Sequence, residues 1–184
     1  MAKVYAMIAD GTEEVECLAV VDVLRRAGIE TPVVSAERSR EITSSHGIKI
    51  TADFCADEVE LDSADALFIP GGMPGSVRLS ECKRLMSAVK TMAESGKRVA
   101  AICAAPAVVL GANGFLRGKK AVCFPGFEDG MSGAELMRGA RVVTDGNITT
   151  ARGLGCAIEL GLELVRLLAG EDKANEIKGK IQFD

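Results

Sequence analysis

Histidine is nearly absent from this chain, aromatic residues make up only 4% of it, and it has no tryptophan. The single histidine, His46, has no metal-ligand spacing around it, so no metal is expected. A Cys-His-Asp hydrolase is equally hard to build from one histidine in a polar turn. C-x-x-C pairs are lacking too: Cys17, Cys55, Cys82, Cys103, Cys123 and Cys156 are scattered, and a chain of 184 residues does not need disulfide staples. They are read as reduced, and the protein as cytoplasmic. No window approaches the ~18 apolar residues of a membrane span, and the N-terminus runs through a short apolar stretch directly into Asp10. Excess positive charge is missing as well. A net charge of −4 argues against a nucleic-acid partner, and the run Arg117-Gly118-Lys119-Lys120 reads as a solvated turn. The glycine-rich stretch Pro70-Gly71-Gly72-Met73-Pro74-Gly75 is neither a Walker loop nor a dinucleotide fingerprint, so no nucleotide cofactor is expected.

What is present is alanine, valine, isoleucine, leucine and 20 glycines, with 48% hydrophobic and 26% charged residues. That composition fits a single globular domain over residues 1–184 with tight α/β packing. Its most informative stretch is Val99-Ala100-Ala101-Ile102-Cys103-Ala104-Ala105-Pro106. A buried-strand pattern runs into a cysteine and then into an alanine-rich segment with proline in the first helical turn, where its missing N–H is tolerated. This is the setting of a nucleophile elbow, in which a strained turn lifts the side chain above the sheet and small neighbours, here Ala101 and Ala105, make room. A helix N-terminus lowers a thiol pKa, whereas burial and a nearby carboxyl raise it, so the sequence leaves the Cys103 pKa open. The alternative is that Cys103 is a small buried hydrophobe.

From the N-terminus, Lys3 to Ala9 reads as a strand, Asp10 to Glu13 as a turn with an N-cap, and the following segment as a helix ending at Gly28. At 100° per residue, Glu16, Val20, Val23 and Ala27 share one stripe, so a carboxylate heads the core-facing side. Glu13 lies near that stripe and is the second choice; the helix dipole accounts for Glu13 and Glu14 but not for an acid in line with the core. Further strands are expected at Thr31 to Ala36, within a hairpin from Glu41 to Thr51 carrying His46 at its tip, at Ala64 to Ile69, at Lys97 to Ile102 and at Lys119 to Phe124. His46 reads as a surface residue. Phe54 to Ser63 reads as irregular and Glu81 to Ser95 as an amphipathic helix. Arg141 to Ala151 carries a hairpin signature around Gly146-Asn147. A long helix is expected from Arg152 to about Ala169, apolar at Ile158, Leu162, Val165 and Leu168, followed by a polar one.

Alternating strands and helices call for a doubly wound, mostly parallel sheet covered on both faces, with ligands beyond the carboxyl ends of its strands. Glu16, Gly71-Gly72 and Cys103 each follow a strand and therefore meet on one edge. A thiol, a buried carboxyl whose pKa burial raises toward neutrality, and backbone donors from the glycines suit attack on a small carbonyl compound.

The segments Glu13-Glu14-Val15-Glu16, Pro70-Gly71-Gly72, Ala100 to Pro106 and Thr150-Ala151-Arg152-Gly153, in this order, resemble the ThiJ/PfpI superfamily in its parkinsonism-associated (DJ-one) branch. The likeness spans essentially the whole chain and is strongest to bacterial and protist members of about this length. It implies a flavodoxin-like fold, a homodimer, Cys103 as oxidisable nucleophile and Glu16 as the protonated acid bonded to it. It further implies an oxyanion hole from the Gly72 and Ala104 N–H groups, beside Gly71; His46, Arg152 and Cys17 are accessory candidates. Cys17, as a resolving thiol, lies 100° from Glu16 around the helix. Phe124 stands where animal members carry histidine, His46 where relatives often carry arginine, and Ala104 where the peptidase branch usually carries histidine. The implied activities are a glutathione-independent glyoxalase or deglycase acting on methylglyoxal, glyoxal or their adducts or, alternatively, an oxidative-stress sensor and redox-regulated chaperone.

Overall fold

The computed structural model describes residues 2–184. In chain order the elements are β1 (Val4–Ile8), α1 (Glu14–Arg26), β2 (Val33–Ser35), β3 (Glu41–Thr43), β4 (Lys49–Thr51), β5 (Phe54–Cys55), β6 (Ala66–Ile69), α2 (Gly75–Glu81), α3 (Lys83–Ser95), β7 (Arg98–Ile102), β8 (Lys120–Ala121), β9 (Glu135–Leu136), β10 (Val142–Asp145), β11 (Ile148–Ala151), α4 (Ala157–Ala169) and α5 (Glu171–Lys180). Seven strands form one sheet in the order β10-β11-β7-β6-β1-β2-β5, and every pairing is parallel except β10 with β11.

Both faces of this sheet are covered, and the side-chain alternation along β1 shows how. Val4, Ala6 and Ile8 pack with α1 and α4, joined by Ala66, Phe68, Ala100 and Ile102 from the neighbouring strands. Tyr5, Met7 and Ala9 point the other way, with Leu67, Ile69, Val99 and Ala101, against α3 and the segment after Cys103. A central parallel strand has no polar face to spare, which is why β1, β6 and most of β7 read as continuous apolar runs. After β1 the chain moves outward to β2; it then returns to the other side of β1 as β6. The switch point of the sheet thus lies between the carboxyl ends of β1 and β6, where a crevice forms in doubly wound folds.

Several expected elements are corrected. The helix expected over 81–95 is present as α3 from Lys83; unexpected is a second helix before it, parted from α3 where Cys82 is extended with ψ 101°, namely α2 from Gly75. Its start was hidden by the glycine-rich loop, but Gly75 is required there because a Cβ would come within 2.5 Å of the Thr12 nitrogen. Phe54–Cys55, read as irregular, pairs with β2 as the sheet edge. The strand expected over 119–124 pairs only at Lys120–Ala121, with β9 in a separate ribbon; beyond it the chain bonds to the main body through Val122 N–H to Thr150 Oγ1 and Phe124 N–H to the Cys103 carbonyl. The helix after Cys103 is a six-residue π-helical segment, Pro106–Gly111. A 3-10 turn, Leu154–Cys156, precedes α4.

On α4 the expectation holds in part: Leu162 and Val165 are buried in the core, but Ile158 is exposed and Leu168 only partly buried, while Ala157, Leu160, Gly161 and Leu164 complete the core-facing side. The helix is apolar around most of its circumference, so periodicity alone could not choose the face. Gly161 chose it: there α4 meets α1 so closely that a Cβ would lie 2.9 Å from Val23 Cβ. Gly161→Leu should therefore lower stability in urea by about 1–3 kcal/mol through overpacking. Gly179→Leu, where a Cβ meets nothing within 4 Å, should be neutral or gain up to about 1 kcal/mol in helix propensity.

Candidate active site

Cys103 ends β7 with φ +64°, in the left-handed region that side chains other than glycine, asparagine and aspartate rarely adopt. Two hydrogen bonds hold it there. Its N–H donates to the Ala151 carbonyl at 3.0 Å, and its own carbonyl accepts from Phe124 N–H at 2.8 Å. The thiol is half-buried, and the N–H groups of Ala104 and Gly72 point at the sulfur.

Glu16 approaches from the opposite wall. It sits in the first turn of α1, is only 1% exposed, and accepts from Gly71 N–H at 3.0 Å through Oε2. Glu13 caps the same helix: its Oε2 accepts from Glu16 N–H at 2.5 Å, and its own N–H donates to the Gly71 carbonyl at 2.9 Å. The backbone of Gly71 is thereby wedged between the acid and the thiol. A Cβ on Gly71 would stand 2.5 Å from Glu16 Oε2 and 2.6 Å from Cys103 Cβ, and Gly72 needs φ +92°. Two adjacent glycines are therefore a steric requirement of this juxtaposition.

The electrostatics follow from burial. Desolvation pushes the Glu16 carboxyl up to about 7 and the Glu13 charge adds to it, against lowering by hydrogen bonds with Cys103, Gly71 N–H and Leu154 N–H. Burial likewise pushes the Cys103 thiol up to about 12, reinforced by the charge on Glu16 and the bond to it, while Ala104 and Gly72 N–H pull it down. Desolvation and the neighbouring carboxyl outweigh the two N–H donors at this thiol.

The accessory positions lie in other surroundings. His46 was read as a solvated turn residue, and its side chain is 69% exposed, yet its Nδ1 stands 3.0 Å from Glu14 Oε1 and 3.9 Å from Glu13 Oε1. The hairpin β3–β4 brings it there, docked on the turn after β1 by Gly11 N–H to the Thr43 carbonyl and Ser45 N–H to the Thr12 carbonyl. Glu14, attributed to the helix dipole alone, is buried; burial works against its charge, but the backbone, Ser44, Ser45 and His46 hold its carboxyl below the usual range. Arg152 donates to the Gly139 carbonyl at 3.4 Å and lines a cavity of about 140 Å³ with Cys123. Cys17 is fully buried in the core, and desolvation pushes its thiol up to about 12. Two contributors escaped the sequence reading: the Phe124 backbone that ties down the elbow and the Leu154 N–H beside Glu16. Phe124 packs its ring against Gly153, a contact between residues far apart in the chain that local pattern does not reveal.

A carboxyl whose folded pKa lies above its unfolded value binds a proton that the unfolded chain has released, so stability falls as pH rises from about 4.5 through about 7. Glu16→Gln removes that slope. Its stability relative to the parent should improve by about 2–3 kcal/mol between pH 5 and pH 8 in denaturant titrations.

Comparison with known proteins bears on this arrangement. The chain is 39% identical over 179 residues to Protein DJ-1 homolog B of Arabidopsis thaliana, covering 97% of this chain but 41% of that protein, so it spans less than half of that relative's length. It is 37% identical over 169 residues to the deglycase TK1284 of Thermococcus kodakarensis, covering 90% of this chain and 99% of that one. The solved structure of oxidized Toxoplasma gondii DJ-1 superposes with a TM-score of 0.93 at 37% identity, covering 100% of this chain and 99% of that one. The DJ-1/PfpI family matches residues 2–167, and the chain belongs to it.

Proposed function

We propose that this protein is a glutathione-independent glyoxalase or deglycase, with Cys103 as nucleophile and Glu16 as acid and base. The observation that carries the reading is the half-buried thiol on a left-handed elbow, facing the Ala104 and Gly72 N–H groups and a buried carboxyl with a pKa near neutrality. Glu16 and Cys103 are coupled, and the single proton they share near neutral pH has two places to sit. Two of the three influences that raise the thiol come from Glu16; when Glu16 holds the proton, its charge is gone and the two N–H donors act on the sulfur unopposed by it. A thiolate paired with a carboxylic acid is the reactive form.

With methylglyoxal, the thiolate adds to the aldehyde carbon, forming a C–S bond, and the carbonyl oxygen takes the Glu16 proton to give a hemithioacetal. Glu16, now a carboxylate, removes the proton from that carbon. The electron pair forms an enediol, and reprotonation at the adjacent carbon by Glu16 leaves a 2-hydroxyacyl thioester. Water cleaves the C–S bond, releasing lactate and returning the thiol. The Gly72 and Ala104 N–H groups stabilise the oxyanions at addition and hydrolysis. With a hemithioacetal or aminocarbinol adduct of a protein side chain, the Cys103 thiolate replaces that side chain on the same carbon: the new C–S bond forms, the bond to the side-chain sulfur or nitrogen breaks, and the departing thiol or amine takes the Glu16 proton, which is deglycation in line with the name of the Thermococcus relative. Peptidase chemistry is not supported: Ala104 follows the nucleophile, and His46 lies beside Glu14, with Nδ1 3.0 Å from Glu14 Oε1.

A second reading, an oxidation sensor with chaperone activity, is favoured by accessibility and surroundings together: Cys103 and Cys82 are half-buried whereas the other four cysteines are buried, and Cys103 has the Gly72 and Ala104 N–H groups and Glu16 around its sulfur. Peroxide would convert Cys103 to a sulfinate held by the same N–H groups and Glu16. A second copy of the chain is the expected partner. Val15 and Leu18 on α1 and Leu154 and Ile158 around the start of the adjoining α4 are exposed apolar side chains on packed neighbours, and a homodimer would bury them. Six unpaired cysteines suit a reducing, cytoplasmic setting.

Proton NMR of methylglyoxal without glutathione should show steady lactate formation, abolished in Cys103→Ser and reduced about 10²-fold or more in Glu16→Gln. Full activity in Glu16→Gln would exclude this mechanism. Absence of lactate, with Cys103 oxidised by peroxide before the other cysteines, would favour the sensor.

A further inference from the structure

The acids at the head of α1 include one whose environment neither the fold nor the chemistry at Cys103 explains. Glu13 is 8% exposed, and its two carboxylate oxygens have different fates. Oε2 caps the helix; Oε1 is buried and has no hydrogen-bond partner among the described residues. A buried carboxylate oxygen without a partner costs free energy comparable to a lost charged hydrogen bond, so it calls for a positive group. The titratable group that the hairpin sets against it is His46, whose Nδ1 at 3.9 Å is too far for a hydrogen bond and already has the Ser45 hydroxyl at 3.1 Å and Glu14 Oε1 at 3.0 Å.

One atom each from Glu13, Glu14 and His46 gather within 4.8 Å of one another. Ligand atoms around a tetrahedral ion with bonds of 2.0–2.2 Å lie ~3.4 Å apart, between the 3.0 and 3.9 Å seen here. We propose that Glu13 Oε1, Glu14 Oε1 and His46 Nδ1 form a binding site for a divalent transition-metal ion of the Zn²⁺ class, with its remaining coordination positions open to solvent on the exposed side of His46. One imidazole and two carboxylates are a borderline donor set with no sulfur, and suit that class. The second-shell partners are in place: Glu14 Oε2 accepts from the Ser45 hydroxyl at 3.2 Å, and Glu13 Oε2 keeps its helix cap. The helix N-terminus opposes a cation with about half a unit of charge, which two carboxylates exceed fourfold. No single segment of the sequence carries this ligand set: Glu13 and Glu14 come from the head of α1, and the hairpin supplies His46.

The site shares Glu13 with the cap of the helix that carries Glu16, and its metal binding is tested without the chemistry at Cys103. Zn²⁺ is titrated into the full-length Cys103→Ser protein against a chromophoric chelator, then into the same protein carrying His46→Ala or Glu13→Gln. One equivalent should bind, with affinity falling at least tenfold in each. His46 is exposed, so its variant is expected to fold and decides alone if Glu13→Gln, which retains a cap acceptor, does not. Co²⁺ substitution should give a weak visible band with no thiolate-to-metal charge transfer. Zn²⁺ affinity unchanged by His46→Ala, a thiolate signature, or no binding at millimolar Zn²⁺ would each overturn the proposal.

Discussion

The candidate site depends on one close approach: the backbone of Gly71 passes between the Glu16 carboxyl and the Cys103 side chain with no room for a single additional carbon. From that constraint follow the other local features. Gly71 N–H is aimed at Glu16 because the strand has come close enough to donate; Gly72 N–H is aimed at the sulfur because φ +92° turns the next peptide around. The same loop accepts the Glu13 N–H, so the start of α1 is fastened to the end of β6. Three strands of a parallel sheet, β1, β6 and β7, are held in register beneath, and their carboxyl ends present acid, donors and thiol to one crevice.

Such a cluster is costly in isolation. A cysteine at positive φ, a carboxyl excluded from water and a second acid with an orphaned oxygen each work against folding by an amount on the order of 1–3 kcal/mol. They persist because the surroundings overdetermine them: Ala151 and Phe124 clamp the elbow through main-chain bonds, and both sheet faces beneath are fully packed. Strain concentrated where a thiol and an acid meet is what a reactive site requires, and the large apolar core offsets it.

The turn after β1 links two parts of the molecule with different character. On one side it delivers Glu16 to the thiol. On the other it receives the β3–β4 hairpin, whose tip sets His46 against Glu13 and Glu14. Glu13 belongs to both, since one carboxylate oxygen caps the helix that carries Glu16 and the other faces the hairpin. Charge introduced at the hairpin side therefore meets Glu13, whose other oxygen accepts from the N–H of Glu16, the acid that contacts the thiol.

Much of this was legible in the chain alone. Apolar strands alternating with amphipathic helices dictated a parallel sheet covered on both faces, because continuous apolar runs have no solvent-facing side. The stripe through Glu16, the double glycine after a strand and a cysteine between small residues named the groups at the crevice, because local pattern encodes which residues end a strand. Elements governed by contacts rather than pattern were not legible. The two-residue edge strand β5 exists only because β2 offers a partner, α2 was masked by glycines that the turn at Gly11 and Thr12 demands, and the buried face of an all-round apolar α4 was decided by Gly161 against Val23. The raised Cys103 pKa and the meeting of His46 with two buried acids belong to this second class. Sequence specifies side chains and their local period; desolvation, and proximity between residues far apart in the chain, come into being only when the tertiary structure closes.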